Sequence, residues 1–247
     1  MSTTESPARP KTAAKPKTPP RPKAPPKPKA QRREETTTRI LDVAEGLFAR
    51  DGLHGVTLKA VAKAAGVDTA LLHYYFNDKN QLFSTVFGRR AEVVNQLRLD
   101  SLDRYEAAHG DAMTVRGAID AFLRPLFVLF EDGDPAWLNY GALVAQVNNT
   151  PAWGGDTMHR HFDPVIDRFI GLLMRVAPDT PHRQIYWFYH LLSGSLTLSL
   201  AQTGRIDVLS GGLCRSSEMA AICDAMEAVF TGGFQTLCQP GGETGQD

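Results

Sequence analysis

Apolar residues recur at helical spacing through most of the chain, and this habit excludes most folds. Ile40, Leu41, Ala44, Leu47 and Phe48 share one helical face. Phe122, Leu126, Leu129 and Phe130 repeat the pattern, as do Val165, Ile166, Phe169, Leu172 and Leu173. Ile185, Phe188, Tyr189, Leu192, Leu196 and Leu200 continue it, and Met219, Ile222, Cys223, Met226, Val229 and Phe230 complete it. Steps of three and four place such side chains on one stripe of a helix, whereas a half-buried strand needs strict alternation. No clear strand pattern interrupts the series, so the expected fold class is all-α. Breaks fall at Gly110, Gly133–Asp134–Pro135, Thr150–Pro151, Pro178–Pro181 and Gly211–Gly212, where glycine and proline punctuate the helices.

Finer signals organise residues 34–90. Gly52 after Asp51 is a candidate C-cap for the first helix. Thr57 opens a second helix as its N-cap, ahead of Leu58, Val61 and Ala62, and Gly66 ends it. Asp68 or Thr69 caps a short third helix carrying Ala70, Leu71, Leu72, Tyr74 and Tyr75. Asn77–Asp78 marks a turn, and a long helix is expected from about Lys79. The two short helices around Gly66 have the dimensions of a helix-turn-helix that reads DNA.

Charge is divided unevenly. The 247 residues hold 27 basic and 27 acidic side chains, yet residues 1–33 carry ten basic residues and one acid, a local charge of +9, leaving −9 on the remainder. Nine of the 16 prolines also fall there. A Pro/Lys/Ala arm of this kind buries too little surface to offset the entropy of ordering, and its lysines suit phosphates. Residues 34–90 hold seven basic and seven acidic residues, so the helix-turn-helix is not net basic. Arg32 and Arg33, just before the first helix, are therefore candidate backbone contacts.

Several classes are excluded. No run approaches the ~18 apolar residues needed to cross a bilayer, and no apolar stretch follows the basic N-terminus as in a secretory signal. Neither membrane attachment nor secretion is expected. Cys214, Cys223 and Cys238 lack metal-ligand spacing and read as reduced thiols of a cytoplasmic protein. His159 and His161 are two apart and point about 200° away from each other on a helix, so they do not make a metal pair. No phosphate loop or nucleophile motif appears. Neither metal, cofactor nor enzymatic activity is expected.

The run from Thr57 to Leu82, TLKAVAKAAGVDTALLHYYFNDKNQL, together with Ile40 to Gly52, ILDVAEGLFARDG, resembles the DNA-binding region of the tetracycline-repressor (TetR) family. Two positions depart from the family pattern: His73, where tyrosine is common, and Ala70, where glycine is. The resemblance implies a three-helix DNA-binding domain over 34–80, following the arm at 1–33. It further implies a helical effector-binding and dimerisation domain over 81–238, ahead of a tail at 239–247. Thr57 would hold a phosphate at a helix N-terminus. Thr69, Ala70, Leu71, His73 and Tyr74 would face base edges, Tyr75 would add a backbone contact, and Lys79 would match the family's phosphate-binding lysine.

The partners implied are a double-stranded DNA operator of inverted-repeat form, a second copy of the chain, and a small effector of acyl or aromatic character. The helices from Pro181 and Ser216 are expected to form the homodimer through Ile185, Phe188, Tyr189, Leu192 and Leu196 on one, and Met219, Ile222, Met226, Val229 and Phe230 on the other. Aromatic residues with polar neighbours mark the expected effector pocket: Phe122, Phe127, Phe130, Trp137, Tyr140, Trp153, His161, Phe162 and Trp187. The function implied is that of a ligand-released repressor. An activator of the same fold and a sequence-independent architectural protein using the arm are the alternatives.

Overall fold

A computed structural model describes residues 28–150 and 154–237. Among them are ten α-helices and no strand. The arm at 1–27, Trp153 and the tail from 238 lie outside the described residues.

The reading head is built from α1 (Lys29–Gly55), α2 (Leu58–Ala65) and α3 (Thr69–Phe76). Helix α1 begins at Lys29, so Arg32 and Arg33 lie on its first turns rather than in the arm. It bends at Gly52, whose φ of 71° requires glycine-like freedom, before a last turn. Each short helix carries its own start and stop. The Thr57 hydroxyl accepts the Ala60 N–H at 3.1 Å. Asp68 accepts from Ala70 N–H at 2.7 Å. Gly66 ends α2 in the left-handed region at φ 65°, its N–H returning to the Ala62 and Lys63 carbonyls. Ile40, Ala44, Phe48, Val61 and Leu72 are fully buried together. Phe48 meets Phe83 edge-on, with centroids 5.2 Å apart.

Helix α4 (Lys79–His109) leaves the head and becomes the spine of the body. Asp78 caps it through Gln81 N–H at 2.8 Å. A 3-10 turn over Gly110–Ala112 leads into α5 (Val115–Glu131), followed by α6 (Pro135–Asn148) and α7 (Gly154–Val176). Helices α8 (His182–Leu200), α9 (Arg205–Leu209) and α10 (Met219–Leu237) complete the body. Helix α4 packs against α1, α5 and α7, while α5 lies on α10 and α6 on both α1 and α8. Among the described residues, the anticipated breaks at Gly110, Gly133–Asp134, Thr150, Pro178–Pro181 and Gly211–Gly212 fall between α-helices and Pro135 opens α6, whereas the C-cap expected at Gly52 is a bend inside α1, which runs on to Gly55. Pro151 lies outside the described residues. The short α9 was not anticipated: five residues offer too few turns for a readable stripe.

Ion pairs tie the helices at their edges. Glu45 of α1, 2% exposed, receives Arg89 and Arg90 of α4 at 2.5 and 3.1 Å. Arg168 of α7 bridges Asp103 and Glu106 of α4. Arg124 of α5 reaches Asp224 and Glu227 of α10.

Candidate functional site

Two places carry side chains set against their ordinary environment. The first is the outer face of α3. Leu72 and Phe76 turn inward and seat the helix, and Thr69 and Leu71 lie half-buried beside them. Ala70, His73 and Tyr74 face outward. Tyr74 is 74% exposed, an unusual surface for a large ring unless something covers it. His73 Nδ1 donates to the Asn77 carbonyl at 2.9 Å, which turns Nε2 outward as the remaining hydrogen-bonding atom.

Tyr75 also has a neighbour within the chain. It is half-buried, and the Arg33 guanidinium lies 5.4 Å from its ring centroid. This contact joins α1 and α3 and gives the Tyr75 ring a packing role. The Thr57 hydroxyl oxygen is occupied by the cap, leaving its proton to donate. Arg32, Lys59 and Lys63 are exposed nearby, and half-buried Lys79 opens α4. Lys59 and Lys63 were not singled out from sequence; their i, i+4 spacing on α2 was the available signal.

The second place is a cavity inside the body. Its walls come from α4 (Val94, Arg98), α5 (Phe122, Leu126), α6 (Tyr140, Val144, Asn148), α7 (Met158, Phe162, Ile166) and α8 (Tyr189, Ser193, Leu196, Thr197, Leu200). The open interior is about 30 Å³, room for a water-sized group. Arg98 donates through Nε to the Phe122 carbonyl at 3.1 Å, and its guanidinium lies 4.2 Å from the Phe122 ring centroid. Its Nη2 and the Tyr140 hydroxyl are buried without a hydrogen-bond partner among the described residues. Burial lowers the Arg98 pKa to about 10, with Tyr140 and Tyr189 opposing the shift. Burial pushes the Tyr140 hydroxyl well up. At neutral pH Arg98 is therefore charged and Tyr140 protonated.

Of the aromatic residues anticipated for a pocket, Phe122, Tyr140 and Phe162 stand on the wall. The others do not. Phe127 is fully buried in the core, and Phe130 packs toward Trp137 at 6.5 Å. Trp137 lies beneath Arg90 at 5.1 Å and meets Tyr140 edge-on from outside the cavity. His161 packs on Phe87 at 5.4 Å, and its carbonyl takes the Asn95 amide at 2.5 Å. Burial, then Arg160, lowers the His161 pKa against the pull of Glu92. Trp187 is 51% exposed because α8 turns Ile185, Phe188 and Leu192 inward and leaves position 187 outside.

Arg98 was missed, yet its register is legible. Ala91, Val94, Arg98 and Leu102 fall on one buried stripe of α4, so a charge there had to be buried.

The apolar faces anticipated for dimerisation need the same correction. Ile185, Phe188, Leu192, Leu196, Met219 and Met226 are buried within the chain, and Phe188 packs edge-on against Phe234 at 4.9 Å. Tyr189 lines the cavity, and Ile222 and Phe230 are half-buried against the core. Of the residues anticipated, Val229 stays exposed, at 67%. The exposed apolar stripe of α8 is Trp187, Leu191 and Leu198, with Gly194 between them. It repeats at helical spacing.

Fold and sites thus define an all-helical chain in which a helix-turn-helix head is joined by one long helix to a cavity-bearing body. Residues 40–86 match the bacterial regulatory proteins of the tetR family. Residues 120–233 match the tetracyclin repressor-like C-terminal domain. The chain belongs to the TetR family.

The transcriptional regulator AcrR of Shigella flexneri is 34% identical over 85 residues, covering 34% of this chain and 38% of that protein. The transcriptional repressor KstR2 of Rhodococcus jostii (strain RHA1) is 34% identical over 92 residues, covering 34% of this chain and 43% of that protein. Each match therefore spans less than half the relative. Among solved structures, the fatty acid degradation regulator FadR from Bacillus halodurans superposes with a TM-score of 0.56 at 16% identity, covering 81% of this chain and 96% of that one. A transcriptional regulator from Pseudomonas aeruginosa PAO1 gives 0.53 at 16% identity, covering 84% and 95%. These likenesses show the fold. Its named relatives are regulators and not enzymes. Among the described residues, no helix is long and apolar enough to cross a membrane, and no cluster has the make-up of a metal site.

Proposed function

We propose that the protein is a ligand-responsive transcriptional repressor that binds an inverted-repeat operator as a homodimer and leaves it when a small lipophilic effector occupies the body. Helix α3 enters the major groove, with Thr69, Ala70, Leu71, His73 and Tyr74 at the bases. Thr57 and Lys79 hold the phosphates to either side, and Arg32 adds charge from α1. The exposed stripe of Trp187, Leu191 and Leu198 on α8, with Val229 on α10, joins two copies. A two-fold pair presents two recognition helices to two half-sites.

The observation that carries this reading is the double attachment of α6. Its inner side supplies Tyr140, Val144 and Asn148 to the cavity. Elsewhere it is bolted to the head: Gln146 donates to the Ala49 carbonyl at 2.7 Å, and Trp137 lies under Arg90, which pairs with Glu45 of α1. A cavity of about 30 Å³ cannot admit an acyl or aromatic molecule unless its walls part. An effector therefore selects a conformation in which α6 has shifted, and the head shifts with it.

The test is a binding titration on the DNA flanking the coding gene, with and without effector. A symmetric fragment should bind roughly 1,000-fold or more tightly than a scrambled one, and effector should lower that affinity. Equal binding to all fragments, or an effector without influence on operator affinity, defeats the reading. The basic arm adds sequence-independent contacts. Deleting residues 1–27, which spares α1, should weaken binding and flatten its salt dependence by about 0.9 per lost phosphate contact, while site preference persists.

A further inference from the structure

We infer that the cavity is built for a carboxylate: its ligand is a compact monoanion with an apolar body, its carboxylate seated between the Arg98 guanidinium and the Tyr140 hydroxyl. This rests on the cavity being the effector site.

The argument begins with an unmatched charge. Arg98 is 4% exposed, and none of the five helices around the cavity contributes an acid to its lining. The carboxylates of those helices that form ion pairs with arginine are engaged elsewhere, Asp103 and Glu106 with Arg168 and Asp120 with Arg124, and Asp163 is in hydrogen-bond contact with His159. A buried cation without a counterion is costly, and removing that cost is the largest gain an incoming anion can find here. The guanidinium is also positioned. Nε is fixed by the Phe122 carbonyl and one face is covered by the Phe122 ring, so Nη2 is left unpartnered. Tyr140 supplies a second unpartnered donor on the same cavity. One guanidinium arm and one hydroxyl match the two oxygens of a carboxylate and fall short of the donors a phosphate needs.

The remaining wall selects the rest of the molecule. Val94, Leu126, Val144, Ile166 and Leu196 are apolar and suit a hydrocarbon or aromatic body. Access is marked as well. Asn148, Ser193 and Thr197 line both the cavity and an open groove of about 480 Å³ between α6 and α8. Asn148 donates to Thr197 at 2.9 Å across that boundary.

The experiment uses the full chain, by calorimetric titration and thermal melting. The probes are octanoate and 4-phenylbutyrate beside the amides of the same skeletons. The carboxylates should bind and raise the melting temperature, with the amides weaker by about 30-fold or more. Arg98→Met should erase that difference while still folding, Arg98→Lys should keep part of it, and Tyr140→Phe should weaken the carboxylates alone, severalfold. Equal binding of acids and amides, an acid preference that survives Arg98→Met, or no binding by any probe would each overturn the proposal. Operator release, measured in parallel, separates the two readings. Amides that bind and release DNA as well as acids leave the effector reading standing and remove the carboxylate. Acids that bind through Arg98 without affecting the operator do the reverse.

Discussion

Tyr74 of α3 is 74% exposed and Arg98 of α4 is 4% exposed. The head therefore keeps an aromatic ring in water, while the body keeps a charge out of it. Both arrangements oppose the usual partition of side chains. Each stands beside polar groups that a partner can complete: the helix-turn-helix surface in one case, the Tyr140 hydroxyl in the other. The comparison separates two ways of holding function. In the function proposed, the head displays its binding groups on a short helix, and the body withholds its own until five helices part. Helix α4 joins them, and α6 touches both.

The largest test of this division is to damage the head's core. Phe48→Ala removes a fully buried ring that packs on Phe83, and should cost about 3–5 kcal/mol in denaturant unfolding. Because the core is continuous through α4, the body should lose stability with it. Two separate transitions, with the body unaffected, would break the coupling.

Leu191→Glu asks instead whether the outer stripe joins two copies. It places like charges near the two-fold axis and should weaken a dimer by several kcal/mol. Light scattering should then show monomer, with operator affinity falling and monomer folding kept. An unchanged mass would send the dimer interface elsewhere.

Tyr74→Ala is smaller and local. It should lower operator affinity by about 1–2 kcal/mol while the melting temperature stays put. Unaltered DNA binding would remove Tyr74 from the interface.

The smallest effect concerns pH. His161 has a lowered folded pKa, chiefly from burial, so between that value and the unfolded value of about 6.5 the unfolded chain binds more protons. Its contribution to stability is present above that range and is lost as pH falls through it. His161→Gln should flatten the decline in melting temperature between neutral and mildly acid pH. A parallel decline in the variant would assign it to other groups.

The head was largely legible because its determinants are local. Thr57, Gly66, Asp68 and Asp78 act within three or four residues; Thr57, Gly66 and Asp78 were placed from sequence as cap, break and turn, and Asp68 as one of two candidate caps beside Thr69, of which the structure uses Asp68. The packing of the Tyr75 ring was not legible because its partner, Arg33, lies 42 positions away on another helix. The body was legible only in outline. Three of its anticipated aromatic residues line the cavity, yet Phe127, Phe130 and Trp187, which do not, look the same in sequence as Phe122 and Phe162. Periodicity marks a stripe as apolar without saying which neighbour covers it, so the stripes of α8 and α10 were assigned to a second copy when the chain's own core takes most of them.

Spacing and caps alone were enough for an all-α chain, most of its breaks and two short helices around Gly66, because helix formation and termination depend on near neighbours; the reading of that pair as a DNA-binding helix-turn-helix came from the family resemblance. Which face of α8 looks outward, which rings reach the cavity, and that Arg98 is buried there without an acid were decided by packing. Those facts depend on pairs of residues far apart in the chain, and they exist only once α4 through α8 have closed around one another.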